Sequence, residues 1–195
     1  MKKLNVLFVG NSYTFYNEMP KSIFAKLAIN AGYEISVTQI TKGGYRLSQF
    51  ADAADEEGAR LREAICRSHY DYAVLQEQSL TPITNESLFL NGVRDVMALI
   101  PAKQFILYAT WGRNDASPDL KTLALTCEEM TEKLNAAYHK ASQLYGARVA
   151  EVGKAFLEYA ENHDRNELYN EDNSHPSEIG STIAAQVIFN AMNLD

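Results

Sequence analysis

Leu4-Asn5-Val6-Leu7-Phe8-Val9-Gly10-Asn11-Ser12-Tyr13 decides how the rest of the chain is read. Positions 4 to 9 are mostly apolar and do not alternate, as a strand covered on both faces requires. Gly10 permits a sharp turn off that strand. Ser12 then stands at the strand's carboxyl end, where open α/β sheets hold their ligands. A serine placed there is a nucleophile, a phosphate ligand or a helix cap. Upstream, Met1-Lys2-Lys3 and the apolar run have the outline of a signal peptide. The run is too short, lacks a small-residue cleavage site and passes straight into Gly10-Asn11-Ser12, so it is read as the first strand.

Outward from this stretch, strands and helices alternate. Pro20 opens a helix with Ile23, Phe24, Leu27 and Ala28 as its apolar stripe, closed by Gly32. Tyr33 to Ile40 reads as the second strand, and Thr41 to Arg46, with Gly43-Gly44, as a loop. A charged amphipathic helix covers about 55–68. Tyr72-Ala73-Val74-Leu75 is a third strand, ending in Gln76-Glu77-Gln78-Ser79. A helix over about 85–100 follows, then a fourth strand over 104–109, ending in Thr110-Trp111-Gly112-Arg113-Asn114-Asp115. Ser117-Pro118 caps and opens a long helix predicted to run unbroken to about Tyr145. Arg148 to Val152 is the fifth strand. A short helix over about 155–160, a polar loop over 161–174, and a final helix opened by Pro176 complete the chain. Five strands alternating with helices imply an α/β protein with a parallel sheet covered on both faces.

The 195 residues are read as one domain, 1–195, long enough to bury a full core. A net charge of −7 and no run of Lys and Arg argue against nucleic acid or an anionic membrane as partner. No stretch is long enough to span a bilayer. Cys66 and Cys127 form no CxxC pair and read as reduced, buried thiols of a cytoplasmic protein. Glu56-Glu57 and Glu128-Glu129 read as solvated helix faces. Without HExxH, P-loop or GxGxxG, no metal and no cofactor is implied.

In a parallel sheet the residues after each strand collect on one edge. That edge receives Ser12, Gly43-Gly44, Gln76-Glu77-Gln78 and Trp111-Gly112-Arg113-Asn114. The late loop Asp172-Asn173-Ser174-His175 can fold over it. A serine hydroxyl needs a base to become a nucleophile. His175 can serve, with Asp172 three residues earlier orienting the ring and stabilising the imidazolium. Acyl transfer also needs donors for the developing oxyanion: the N–H groups of Ser12 and Gly44, and a side-chain amide. Trp111 reads equally as a lid over the core or as a substrate platform.

Taken together, Val9-Gly10-Asn11-Ser12, Gly44 and Asp172-x-x-His175 resemble the first, second and last blocks of the SGNH hydrolases, also called GDSL esterases and lipases. The resemblance implies a three-layer, flavodoxin-like sandwich with strand order 2-1-3-4-5. It implies Ser12 as nucleophile, His175 as base and Asp172 as its orienter. Asn11 replaces the usual aspartate of the first block, and the third block, Gly-x-Asn-Asp, is absent after the third strand. Leu75-Gln76-Glu77-Gln78 there is similar to the Gln-Gly-Glu version of carbohydrate acetylesterases, which points to Gln76 as the amide donor, with Gln78 and Asn114 as the alternatives. Gly112-Arg113-Asn114-Asp115 spells the family pattern one strand too late. The expected activity is removal of short acyl groups from a small hydroxylated substrate, with carbohydrate favoured. The competing reading is a non-catalytic module that binds a phosphate- or glycan-bearing ligand at the loop after the first strand.

Overall fold

The computed structural model describes residues 2–194. Five strands, β1 (Lys2–Gly10), β2 (Tyr33–Thr41), β3 (Tyr70–Leu75), β4 (Ala102–Ala109) and β5 (Arg148–Glu151), form one sheet. Its order is 2-1-3-4-5 and every pairing is parallel. The helices are α1 (Ser12–Phe15), α2 (Ala25–Asn30), α3 (Leu47–Ala51), α4 (Glu56–Arg67), α5 (Thr81–Thr84), α6 (Glu86–Leu99), α7 (Pro118–Leu123), α8 (Cys127–Tyr145), α9 (Val152–Ala160) and α10 (Glu178–Ala191).

Side chains alternate along β1, and both faces are covered. Leu4, Val6 and Phe8 pack with Ala28 of α2, Phe156 of α9 and Ala184, Ala185 and Ile188 of α10. Leu7 and Val9 pack on the other face with Leu47 and Phe50 of α3, Leu61 of α4, Phe89 and Val93 of α6, and Tyr138 of α8. This is why β1 reads as a continuous apolar run. Burial of each such large side chain contributes about 1.5–3 kcal/mol. The sheet is thereby a rigid floor, and the carboxyl ends of β1, β3 and β4 deliver their loops to one edge.

The expected unbroken helix from Ser117 to Tyr145 is two helices. Ala124 adopts a left-handed backbone (φ 53°), and Thr126 starts α8 with a capping box: its hydroxyl accepts from Glu129 N–H while the Glu129 carboxylate accepts from Thr126 N–H. Two N–H groups satisfied reciprocally at Thr126 favour a new start over continuation. Pro176 does not open the last helix either. Ser177 caps α10, and Pro176 lies outside it, bridged to Tyr169. Cys66, expected to be buried, is exposed on the outer face of α4, whereas Cys127 is buried. Glu57, expected on a solvated face, is buried and held by two hydrogen bonds from Arg60 Nη1.

Candidate active site

Ser12 is the first residue of α1, but it does not cap it. Asn11 does so, through a hydrogen bond from Tyr13 N–H to its Oδ1. The Ser12 hydroxyl is thereby left to point elsewhere, and its Oγ lies 2.8 Å from His175 Nε2. On the far side of the ring, His175 Nδ1 is hydrogen-bonded to Asp172 Oδ2. A carboxylate only accepts, so Nδ1 carries the ring proton and Nε2 is free to accept from the Ser12 hydroxyl. Asp172 Oδ1 also accepts from the N–H groups of Ser174 (3.0 Å) and His175 (2.9 Å). Partial burial opposes ionisation of Asp172, but the hydrogen bonds from the His175 ring and these two N–H groups outweigh it and hold the carboxyl below its ordinary value.

The loop carrying this pair is tied down by the loop after β4. Trp111 Nε1–H donates to Ser174 O (3.1 Å), and Arg113 Nη1 donates to Ser174 Oγ (2.5 Å). Asn114 donates its N–H to Asn173 O (3.0 Å) and its side-chain amide to Asn173 Oδ1 (2.9 Å) and Asn166 Oδ1 (2.8 Å). Both amide hydrogens of Asn114 are therefore spent. Trp111 is fully buried, stacked between Tyr13 (4.7 Å) and Phe156 (4.3 Å). It is a strut under the loop, not a substrate platform. The Tyr16 ring stacks on His175 at 4.3 Å and fixes the imidazole plane.

Ser12 and His175 open into a small cavity of about 190 Å³, also lined by Gly44, Gln78, Ser79 and Arg113. Gly44 has φ +73°, the left-handed conformation that its lack of a side chain allows. Among the described residues, neither the Ser12 N–H nor the Gly44 N–H has a hydrogen-bond partner. Gln78 Oε1 accepts from Leu80 N–H, Thr81 N–H and the Thr81 hydroxyl, each at 3.0 Å. Its amide oxygen is thus fixed and its NH₂ is unspent.

Gln76, expected as the amide donor, does not line this cavity. Its N–H still pairs with Val9 O (2.9 Å), so the residue belongs to the sheet and its side chain tucks under the end of β1. There Gln76 Oε1 accepts from Asn11 N–H and from the Thr14 hydroxyl, each at 2.9 Å, and its NH₂ turns to Glu77 O. The assignment of Gln76 is corrected on this ground. Gly10, too, is required for space more than for a turn. A Cβ there would stand 2.5 Å from Thr14 Oγ1 and 2.8 Å from Gln76 Oε1, and its φ is not left-handed.

Arg113 and Ser174 were not singled out as site residues by sequence reasoning, and Gln78 stood only as an alternative to Gln76 for the amide donor. Arg113 is buried, bonded to Asp119 Oδ2 (2.9 Å) and Ser79 Oγ (2.9 Å) as well as to Ser174. The loop after β1 offers little to a phosphate, because the N–H groups of Tyr13, Thr14 and Phe15 all donate to Asn11. Among the described residues no group of three His, Cys, Asp or Glu is placed to hold a metal ion, and no helix is long and apolar enough to cross a membrane. A larger cavity of about 440 Å³ sits at the opposite edge of the sheet, by Lys3, Asp71 and Lys103, and no serine, cysteine or histidine lines it.

No family model and no curated protein matches the chain. Solved structures do. A protein from Slackia heliotrinireducens assigned to the SGNH hydrolases is 28% identical, with a TM-score of 0.85 over 98% of this chain and 100% of that one. A variant of an acetyl xylan esterase from Geobacillus stearothermophilus is 15% identical, with a TM-score of 0.69 over 98% and 95% of the two chains. A protein from Parabacteroides merdae assigned as a GDSL-like lipase is 14% identical, with a TM-score of 0.73 over 100% and 97%. The last two likenesses are of fold alone. The five-stranded parallel sandwich with a serine and a histidine at its carboxyl edge is that of a hydrolase class. The chain belongs to the SGNH hydrolase superfamily.

Proposed function

We propose that the protein is a serine esterase that removes short acyl groups, acetyl foremost, from a hydroxylated substrate, with a carbohydrate the favoured acceptor. The observation that carries this reading is the relay from Ser12 Oγ through the His175 ring to Asp172, opening on a cavity with unspent donors. Ser12 Oγ attacks the ester carbonyl as His175 Nε2 takes its proton, and Asp172 stabilises the imidazolium. The N–H groups of Ser12 and Gly44 and the NH₂ of Gln78 receive the oxyanion. The alcohol leaves with the proton from His175. Water, deprotonated by His175 in turn, then cleaves the acyl-enzyme. A cavity of about 190 Å³ beside Ser12 has room for an acetyl group. The acetyl xylan esterase among the structural neighbours supports a carbohydrate-linked acetyl ester. Free thiols at Cys66 and Cys127 fit work in the reducing cytoplasm.

A fluorophosphonate probe followed by peptide mapping tests the nucleophile, and 4-nitrophenyl acetate against the palmitate ester tests the acyl group. Label on Ser12 and a higher kcat/KM on acetate are expected. Label on another serine, or no label on folded protein, overturns the reading.

A further inference from the structure

The proposed oxyanion donors follow three strands, with Ser12 at the end of β1, and the loops that carry the other two leave strands that do not pair with each other. Gly44 follows β2 and Gln78 follows β3, and β1 lies between those strands. Glu77 spans the gap. Its carboxylate accepts from the N–H of Leu47, at the start of α3, at 3.2 and 3.3 Å, and from the N–H of Gln78 at 2.7 Å. The side chain is fully buried, and among the described residues it forms no ion pair within 4 Å. Its own N–H donates to the Tyr138 hydroxyl of α8 (3.1 Å), which fixes the backbone from which it reaches. A buried carboxylate held only by N–H groups is costly to keep, and nothing in the chemistry at Ser12 uses it directly.

We propose that Glu77 is a positioning residue whose carboxylate ties the Gly44 loop to Gln78 and so sets the spacing of the oxyanion donors. This rests on the serine-esterase reading above. Oε1 accepts from both N–H groups, and Oε2 is a second, slightly closer acceptor for Leu47. A proton on Oε1 sets a donor against both N–H groups, and a proton on Oε2 removes the closer acceptor from Leu47. Burial pushes the Glu77 carboxyl up to about 7, against the opposing hydrogen bonds from Gln78 and Leu47 and the positive charge of Arg46. From α8 it faces Tyr138, whose hydroxyl burial keeps neutral. The tie is therefore complete above neutrality and loosens below it.

The test compares wild type, Ser12→Ala and Glu77→Gln on 4-nitrophenyl acetate between pH 5.5 and 9, with rates normalised to fluorophosphonate-reactive sites. Glu77→Gln is expected to lower kcat at pH 8 by about ten- to a hundredfold, less than outright loss of a donor, with KM within twofold and a shallower rise of kcat with pH. A lower melting temperature with kcat per active site and its pH profile unchanged overturns the proposal. Full activity in Ser12→Ala overturns the esterase reading alone. The tie itself is read without activity, by NMR of the wild-type chain. The Gly44, Leu47 and Gln78 amide resonances are expected to move with the midpoint of the Glu77 carboxyl carbon. A Gly44 amide that stays still while Glu77 titrates overturns the proposal whether or not the variant folds.

Discussion

Gln78→Glu separates a donor from a mere loop residue at the candidate site. The substitution keeps the length and the Oε1 acceptor, so the three hydrogen bonds from Leu80 and Thr81 survive and the loop stays folded. What changes is the NH₂ facing the cavity, which becomes an oxygen. Losing one oxyanion donor costs about 10²–10³ in kcat. An ionised carboxylate about 4 Å from the oxyanion adds a repulsion on the order of 4 kcal/mol at an effective dielectric constant of about 20, roughly another factor of 10³. Protonation of the new carboxyl relieves that second effect. The loss therefore lies between about 10² with the carboxyl protonated and about 10⁶ with it ionised, and it deepens as pH rises through the carboxyl's titration. The assay is steady-state hydrolysis of 4-nitrophenyl acetate, with active sites counted by fluorophosphonate and folding followed by circular dichroism. A folded Gln78→Glu with kcat within tenfold of wild type at pH 8 refutes the assignment of Gln78.

Gln76→Leu should act on stability first. It strips the acceptor from Asn11 N–H and the Thr14 hydroxyl, each costing about 1–3 kcal/mol when left buried and unpaired. Urea unfolding reads this, and an unchanged midpoint refutes it. Asp172→Asn should lower kcat by about 10⁴ with the fold intact, since the ring loses its orienting carboxylate. Adding His175→Ala to Asp172→Asn should cost little beyond the worse single variant, because the groups act as a unit; multiplying losses would show that they do not. Glu77 makes stability fall with rising pH. Its folded value near 7 exceeds the ordinary 4.5, so the native state holds the proton longer. That contribution is full below about 4.5 and is lost by about 7, on the order of 3 kcal/mol in all. Asp172 has the opposite sign, contributing above its unfolded value and losing that contribution as acid protonates it. Denaturant midpoints from pH 4.5 to 8, flat in Glu77→Gln and falling in wild type, check the Glu77 contribution.

The elements most legible in the sequence are those fixed by local pattern. β1 is apolar throughout because both faces are covered, and Asp172-x-x-His175 closes a hydrogen-bonded pair within four residues. The break before α8 was legible too, in the Thr126-x-x-Glu129 capping box, but the surrounding helical periodicity concealed it. Gln76-Glu77-Gln78 was not resolvable by pattern. Three polar residues follow a strand end, and the alternation of faces stops being a guide where the chain leaves the sheet. Each of the three goes a different way: Gln76 beneath β1, Glu77 toward α3, and Gln78 into the cavity. The nearest signal was Gln78 three residues ahead of Thr81-Pro82, the position of a side chain that caps the turn opening α5.

The placement of His175 shows what lies beyond such local signals. With Pro176 read as the first residue of the last helix, the histidine would be held by that helix and would feel its positive end. Instead α10 begins at Glu178 behind a Ser177 cap, and the histidine loop hangs from Trp111, Arg113 and Asn114, some sixty residues away in sequence. No periodicity encodes those contacts, because each is a single side chain meeting a backbone carbonyl, a hydroxyl or an amide oxygen across two loops. It follows that the base is positioned by the end of β4 and not by its own helix. Changes in the Trp111–Asn114 loop should therefore be felt at His175 sooner than changes in α10 of equal effect on stability.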